Sequence, residues 1–156
     1  MQFIKESRIA APPAVVFAFH ESPGALARLT PPWENVKVVK GGESIKVGSQ
    51  VVLQTKLGLI PLNWVAEHTE YEPPHLFADR QVSGPFASWY HRHRMLDDGQ
   101  GGTILRDEVD YEPPLGVLGR LFTGQYLHLK LQKMFDFRHI TTKNIIESGD
   151  FAVKGS

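Results

Sequence analysis

Apolar and polar positions alternate from Phe3 to Ile9, the period-two pattern of a half-buried strand. The segment AAPPAVVFAFHESPGALARLTPPW then breaks the alternation with prolines and two short apolar clusters. It predicts a helix from about Pro13, where proline is tolerated in the first turn, and a second short helix from Ser22 to Leu29 with Ser22 as N-cap and Pro23 at N1. From Val36 to Tyr111 the chain is almost entirely strand-like: Val36 to Lys40, Gln50 to Lys56, Leu62 to Tyr71, Leu76 to Val82, Phe86 to Leu96 and Thr103 to Tyr111. The breaks at Gly41-Gly42, Gly58, Pro73-Pro74, Gly84-Pro85 and residues 97–102 carry turn chemistry at hairpin spacing. After Leu115 the period lengthens. Leu127, Leu131, Met134, Phe135 and Arg138 fall at helical spacing, as do Leu118, Phe122 and Leu129, which predicts one long helix to about Ile146 with a break near Gly124.

One strand, two short helices, a six-strand antiparallel meander and a long terminal helix make an α+β domain spanning residues 1–156. Its seven-stranded curved sheet must cover an apolar face with that helix. A sheet wrapped on a helix encloses a hollow. The peptide TyrGluProPro occurs at Tyr71 to Pro74 and at Tyr111 to Pro114, but the flanks do not match, so two strands end alike because Pro-Pro cannot continue a ladder.

Composition removes several classes of function. The 17 basic and 17 acidic residues cancel, and no window gathers the basic cluster that steers a chain to phosphate or anionic lipid, so nucleic acid is not an expected partner. With no cysteine there is no disulfide framework, thiolate zinc site or thiol nucleophile. The start MQFIKESRIAAPP lacks a long apolar core and no run approaches membrane-spanning length. A cytoplasmic protein without membrane insertion, monomeric or weakly dimeric, is the expectation.

Candidate chemistry centres on FASWYHRHRM, residues 86–95. In a strand Trp89, His91, His93 and Met95 share one face, and Tyr90, Arg92 and Arg94 the other. In the following strand Leu105, Asp107, Val109 and Tyr111 form the mostly apolar set. If the loop at 97–102 closes a regular hairpin, Asp107 lies across from His91 or His93. The neighbouring strands add Phe77, Asp79 and Gln81 at one parity and Leu62, Trp64, Ala66 and His68 at another. An apolar hollow with a few placed polar groups is what a small-molecule site requires.

The runs Ile9-Ala-Ala-Pro-Pro with ValValPheAlaPheHis, LeuThrProProTrp at 29–33, ThrGluTyrGluProPro at 69–74, GlyProPhe at 84–86 ahead of Trp89, His91 and His93, and Asp107-Glu-Val-Asp-Tyr resemble the ligand-binding SRPBCC domains, START-like or polyketide-cyclase-like. The resemblance covers Phe3 to about Ile146. It implies a helix-grip fold and a hydrophobic cavity between sheet and terminal helix, and it leaves the substrate open. Met95 departs from the aromatic expected in this branch, which implies a softer far end of the pocket.

Three functions compete. The first is binding of a hydrophobic or amphipathic small molecule by Trp64, His68, Phe77, Asp79, Gln81, Trp89, Met95, Val109, Tyr111, Leu127 and Leu131. The second, which the resemblance implies, is a cyclase or dehydratase using His91, His93 and Asp107 as an acid/base group on a carbonyl compound. The third is a protein-interaction module without ligand. A metal held by the two histidines with Asp107 or His68 is not expected, because the spacing is common and further ligands are distant in sequence. No cofactor fingerprint is present; the Gly-rich segment at 99–102 lies between strands and is a turn. The charged faces, Arg92, Arg94, Arg106 and Glu108, are expected to pair in solvent.

Overall fold

The computed structural model describes residues 1–57 and 60–151; the turn expected at Gly58 lies outside them. Strand β1 (Gln2–Ile9) leads to α1 (Pro13–Glu21) and α2 (Ala25–Arg28). There follow β2 (Lys37–Gly41), β3 (Gln50–Leu57), β4 (Ile60–Glu72), β5 (Leu76–Ser83), β6 (Ser88–Asp97), β7 (Thr103–Glu112) and α3 (Gly116–Glu147). All pairings are antiparallel in the order β1-β7-β6-β5-β4-β3-β2, so the first strand closes the meander beside the last. Strands β4 and β7 stop at Glu72 and Glu112, one residue before a proline pair that has no N–H to extend a ladder.

The parity of β6 and β7 is held by what a slip would bury. Arg92 and Arg94 face out to Glu70, Asp110 and Glu108, and Arg106 pairs with Glu6 and Glu108, while Trp89, His91, Met95, Leu105, Asp107, Val109 and Tyr111 are buried. Shifting β6 by one residue would exchange its sets and desolvate two guanidinium groups, and shifting β7 would desolvate a third. Register shifts in β4 between Val65 and Ala66 and between His68 and Glu70 sharpen the local twist of the sheet.

Two predicted features are corrected. Ser22 does not open the second helix: its N–H and hydroxyl both donate to the Phe19 carbonyl, so it closes α1, and α2 begins only after Gly24 in a left-handed conformation. A serine reads alike as an N-cap or as a C-terminal partner, and the carbonyls of α1 claimed it first. Nor does Gly124 break α3. The helix runs through it, and a Cβ there would come within 3.2 Å of Met1 Cε, so the glycine makes room for the N-terminus.

The core forms two clusters. Ile9, Val16, Phe17, Phe19, Phe77, Met95, Leu105 and Ile146 belong to one; Phe3, Trp89, Val109, Tyr111, Leu131 and Phe135 belong to the other. From Leu127 onward α3 serves them, chiefly through Leu131, Phe135, His139, Thr142 and Ile146, spaced three or four residues apart. The first half carries Val117, Leu118, Leu121 and Phe122 on its exposed surface, so α3 does not cover the concave face along its whole length. Among the described residues, no helix is long and apolar enough to cross a membrane.

Candidate functional site

The sheet, α1, α2 and the second half of α3 enclose a cavity of about 140 Å³. Trp64, His68, Phe77, Asp79, Trp89, His91 and His93 line it, and half-buried Leu26, Gly42, Ser44 and Ile45 form its rim. Trp64 and Trp89 meet edge to face with ring centroids 5.0 Å apart. Trp64 buries its Nε1 with no hydrogen-bond partner among the described residues.

Other residues expected at the pocket lie elsewhere. Met95 packs in the first core cluster, Val109, Tyr111 and Leu131 in the second, and Leu127 is half-buried against the second. The reason is coverage: inward parity places a side chain on the concave face, but α3 packs over β1 and β7 and α1 over β6, so the positions beneath them fill as core. Gln81 is withdrawn because its amide closes the β5–β6 turn, donating to the Phe86 carbonyl at 2.7 Å and accepting the Phe86 N–H at 3.3 Å.

Asp107 stands behind the cavity wall, where β7 pairs it directly with His93. Its Oδ1 accepts a hydrogen bond from His91 Nε2 at 3.0 Å and lies 2.7 Å from His93 Nδ1, a close ionic contact out of line with the ring N–H. Its Oδ2 accepts from His139 Nε2 at 2.7 Å. On the cavity side Asp79 Oδ2 lies 3.7 Å from His91 Nδ1 and 3.6 Å from His93 Nε2. The His91 and His93 rings sit 3.8 Å apart, and Phe77 stacks on His93 at 4.0 Å and 12°.

These neighbours split the two histidines. Burial, then the charge of His93, pulls the His91 pKa down. Burial also opposes the charge on His93, but Asp107 and then Asp79 outweigh it and raise its pKa. A proton shared by the pair therefore resides on His93. Burial works against ionised Asp107 as well, yet His93 and the hydrogen bonds from His139 and His91 hold its carboxyl well below the usual range. Asp79 is lowered too, against its burial, by His93 and His91.

Three contributors were not singled out from the sequence. His139 continues the stripe Leu131, Phe135, His139, so helical spacing alone marks it as inward. His20 lines the cavity from α1, its Nδ1 bonded to the Val16 carbonyl at 2.8 Å; burial, then His93, lowers its pKa to about 4. Arg138 reaches the cavity from α3, donating Nε to the Leu29 carbonyl at 3.2 Å.

With this geometry in view, a family profile described as polyketide cyclase/dehydrase and lipid transport matches residues 9–135. The chain belongs to that family. Among solved structures it is similar to TTHA0849 from Thermus thermophilus, with a TM-score of 0.73, 16% identity and coverage of 97% of this chain and 100% of that one. Zhui aromatase/cyclase from Streptomyces sp. R1128 gives a TM-score of 0.72 at 17% identity over 100% of this chain and 99% of that one. Norcoclaurine synthase from Thalictrum flavum, solved with a transition-state analogue, gives 0.72 at 10% over 97% and 96%. At these identities the likeness carries the helix-grip fold alone. No curated protein matches the chain.

Proposed function

We propose that this member of the polyketide cyclase/dehydrase and lipid transport family binds a small hydrophobic or amphipathic molecule in the cavity between sheet and α3. The observation that carries the reading is the composition of the wall. Trp64, Trp89, Phe77 and Ile45 offer apolar surface, while the polar groups gather at one place, Asp79 and His93, with Arg138 nearby. Such a wall orients a ligand with an apolar body and one oxygen-bearing end. The unpartnered Trp64 N–H suits an acceptor oxygen. A void of about 140 Å³ accepts a molecule of roughly one aromatic ring; a larger ligand requires the rim at Leu26 and Ile45 to move.

A second reading is an enzyme of cyclase or dehydratase type, and the Asp79–His93 pair on the cavity wall favours it. In it His93 exchanges a proton with a carbonyl ligand and Asp107 positions the ring from behind. Two structural neighbours, an aromatase/cyclase and a norcoclaurine synthase, are in keeping with chemistry inside this fold.

Native mass spectrometry of protein purified from its host, with tryptophan fluorescence titrations using a panel of single-ring phenols and carboxylates, tests the first reading. Retained mass or saturable quenching supports it; neither, across the panel, overturns it. Conversion of a retained molecule that stops in His93→Gln while binding persists identifies the enzyme.

A further inference from the structure

Asp79 on β5 and His91 and His93 on β6 each present one ligand atom, and these atoms all lie within 4.8 Å of one another. The carboxylate-to-imidazole separations, 3.7 Å to His91 Nδ1 and 3.6 Å to His93 Nε2, are too long for hydrogen bonds. They are close to the edge of a tetrahedron, about 3.3 to 3.5 Å, drawn by donors about 2.0 to 2.2 Å from a zinc-sized ion. We propose that Asp79, His91 and His93 form a site for a divalent first-row transition metal of the Zn²⁺ or Fe²⁺ class, open to the cavity.

An independent observation lies behind the rings. Asp107 faces the opposite nitrogen of each histidine, His91 Nε2 at 3.0 Å and His93 Nδ1 at 2.7 Å. A carboxylate only accepts, so His91 Nε2, which donates to it, carries the hydrogen and the lone pair of the neutral His91 ring falls on Nδ1, the atom that looks toward Asp79. The Asp107 charge beside His93 Nδ1 favours the hydrogen there as well, which leaves Nε2 facing Asp79 as the donor atom of the neutral ring. A carboxylate behind metal-binding imidazoles is the arrangement that fixes their tautomer and raises their basicity. His139 grips the second oxygen of Asp107 at 2.7 Å, so the carboxylate is itself held in place.

The donor set agrees with the ion class. Two imidazoles and one carboxylate suit zinc or iron better than calcium or magnesium, which prefer oxygen ligands. Three protein ligands leave a coordination position free, and here that position opens on the apolar cavity. The site is complete without a bound organic ligand, so it stands or falls separately from the ligand-binding reading.

The test uses full-length protein, free of any affinity tag, stripped with chelator and titrated with Co²⁺ by visible absorption and with Zn²⁺ by calorimetry at neutral pH. One equivalent of Zn²⁺ binding in the micromolar range or tighter is expected, with the intense bands of a low-coordinate Co²⁺ centre. Asp79→Asn and His93→Gln should each weaken binding at least tenfold, whereas the control Glu67→Gln, half-buried on β4 and paired with Arg80 rather than lining the cavity, leaves it unchanged. Asp107→Asn keeps every ligand atom and should weaken binding roughly 10- to 100-fold through the outer contact alone. Far-UV and near-UV circular dichroism confirms that each variant is folded; Asp79→Asn, on the cavity side of the network, serves if the buried substitutions unfold. Absence of binding, or binding that survives both Asp79→Asn and His93→Gln, overturns the proposal.

Discussion

Asp107 and His139 meet through Oδ2 and Nε2 at 2.7 Å although 32 residues separate them along the chain. The contact ties β7 to α3 at a point where both residues are buried. Asp107 is thus held by three imidazoles from two elements, and the cavity wall formed by His91 and His93 inherits its orientation from a carboxylate outside the cavity.

Asp107→Asn preserves shape but removes the charge that raises the His93 pKa. Ring-proton NMR titration of the metal-free protein should show the His93 value falling, and urea melts a loss of roughly 3 kcal/mol from the broken buried network. A histidine titration unchanged by the substitution would mean that the network is not formed in solution.

His20 gives a pH dependence of defined sign. Burial and His93 hold its folded pKa at about 4 against 6.5 for the ordinary group. Between these values the unfolded chain binds a proton that the folded chain does not, so stability is lost as pH falls through that window, by at most about 3 kcal/mol. Comparing His20→Leu with the parent at pH 7 and pH 4.5 should show a shallower acid loss in the variant. Equal slopes would place the acid sensitivity elsewhere.

Phe135 is fully buried, stacks on Phe3 at 5.3 Å and meets His91 edge-on at 5.1 Å. Phe135→Ala should cost about 3 to 5 kcal/mol in a denaturant melt, the usual toll of an aromatic cavity in a closed core.

Ala66 lines the cavity and is buried. Ala66→Leu should occupy part of the void and weaken the quenching of tryptophan fluorescence by single-ring ligands at least about tenfold, with the fold retained. Undiminished binding would put the ligand somewhere other than this cavity.

Phe122, 83% exposed on the first half of α3, supports nothing beneath it. Phe122→Ser should change stability by no more than about 0.5 kcal/mol, read from the melting midpoint. A larger loss would show that this end of the helix is covered in solution.

Direction was legible in the sequence because it is a local property. In FASWYHRHRM the alternation of bulky or imidazole side chains with tyrosine and arginine states which set turns inward, and the desolvation of Arg92, Arg94 and Arg106 forbids the other choice. The element order, the antiparallel meander and the inward placement of His91, His93 and Asp107 follow from that. Distance between elements is not local, and it decided the rest. Met95, Val109 and Tyr111 share the inward parity of Trp89, yet they fill core because α3, with Leu131, packs over β1 and β7 and α1 packs over the far end of β6, while the cavity opens toward Trp64 on β4. Asp79 joins the histidines through the β5–β6 register, which pairs it with His91, a neighbour that the strand pattern alone does not specify. His139 reaches Asp107 only once α3 lies against β7. Periodicity can say that a side chain faces inward; what it meets there depends on curvature and packing that alternation does not encode.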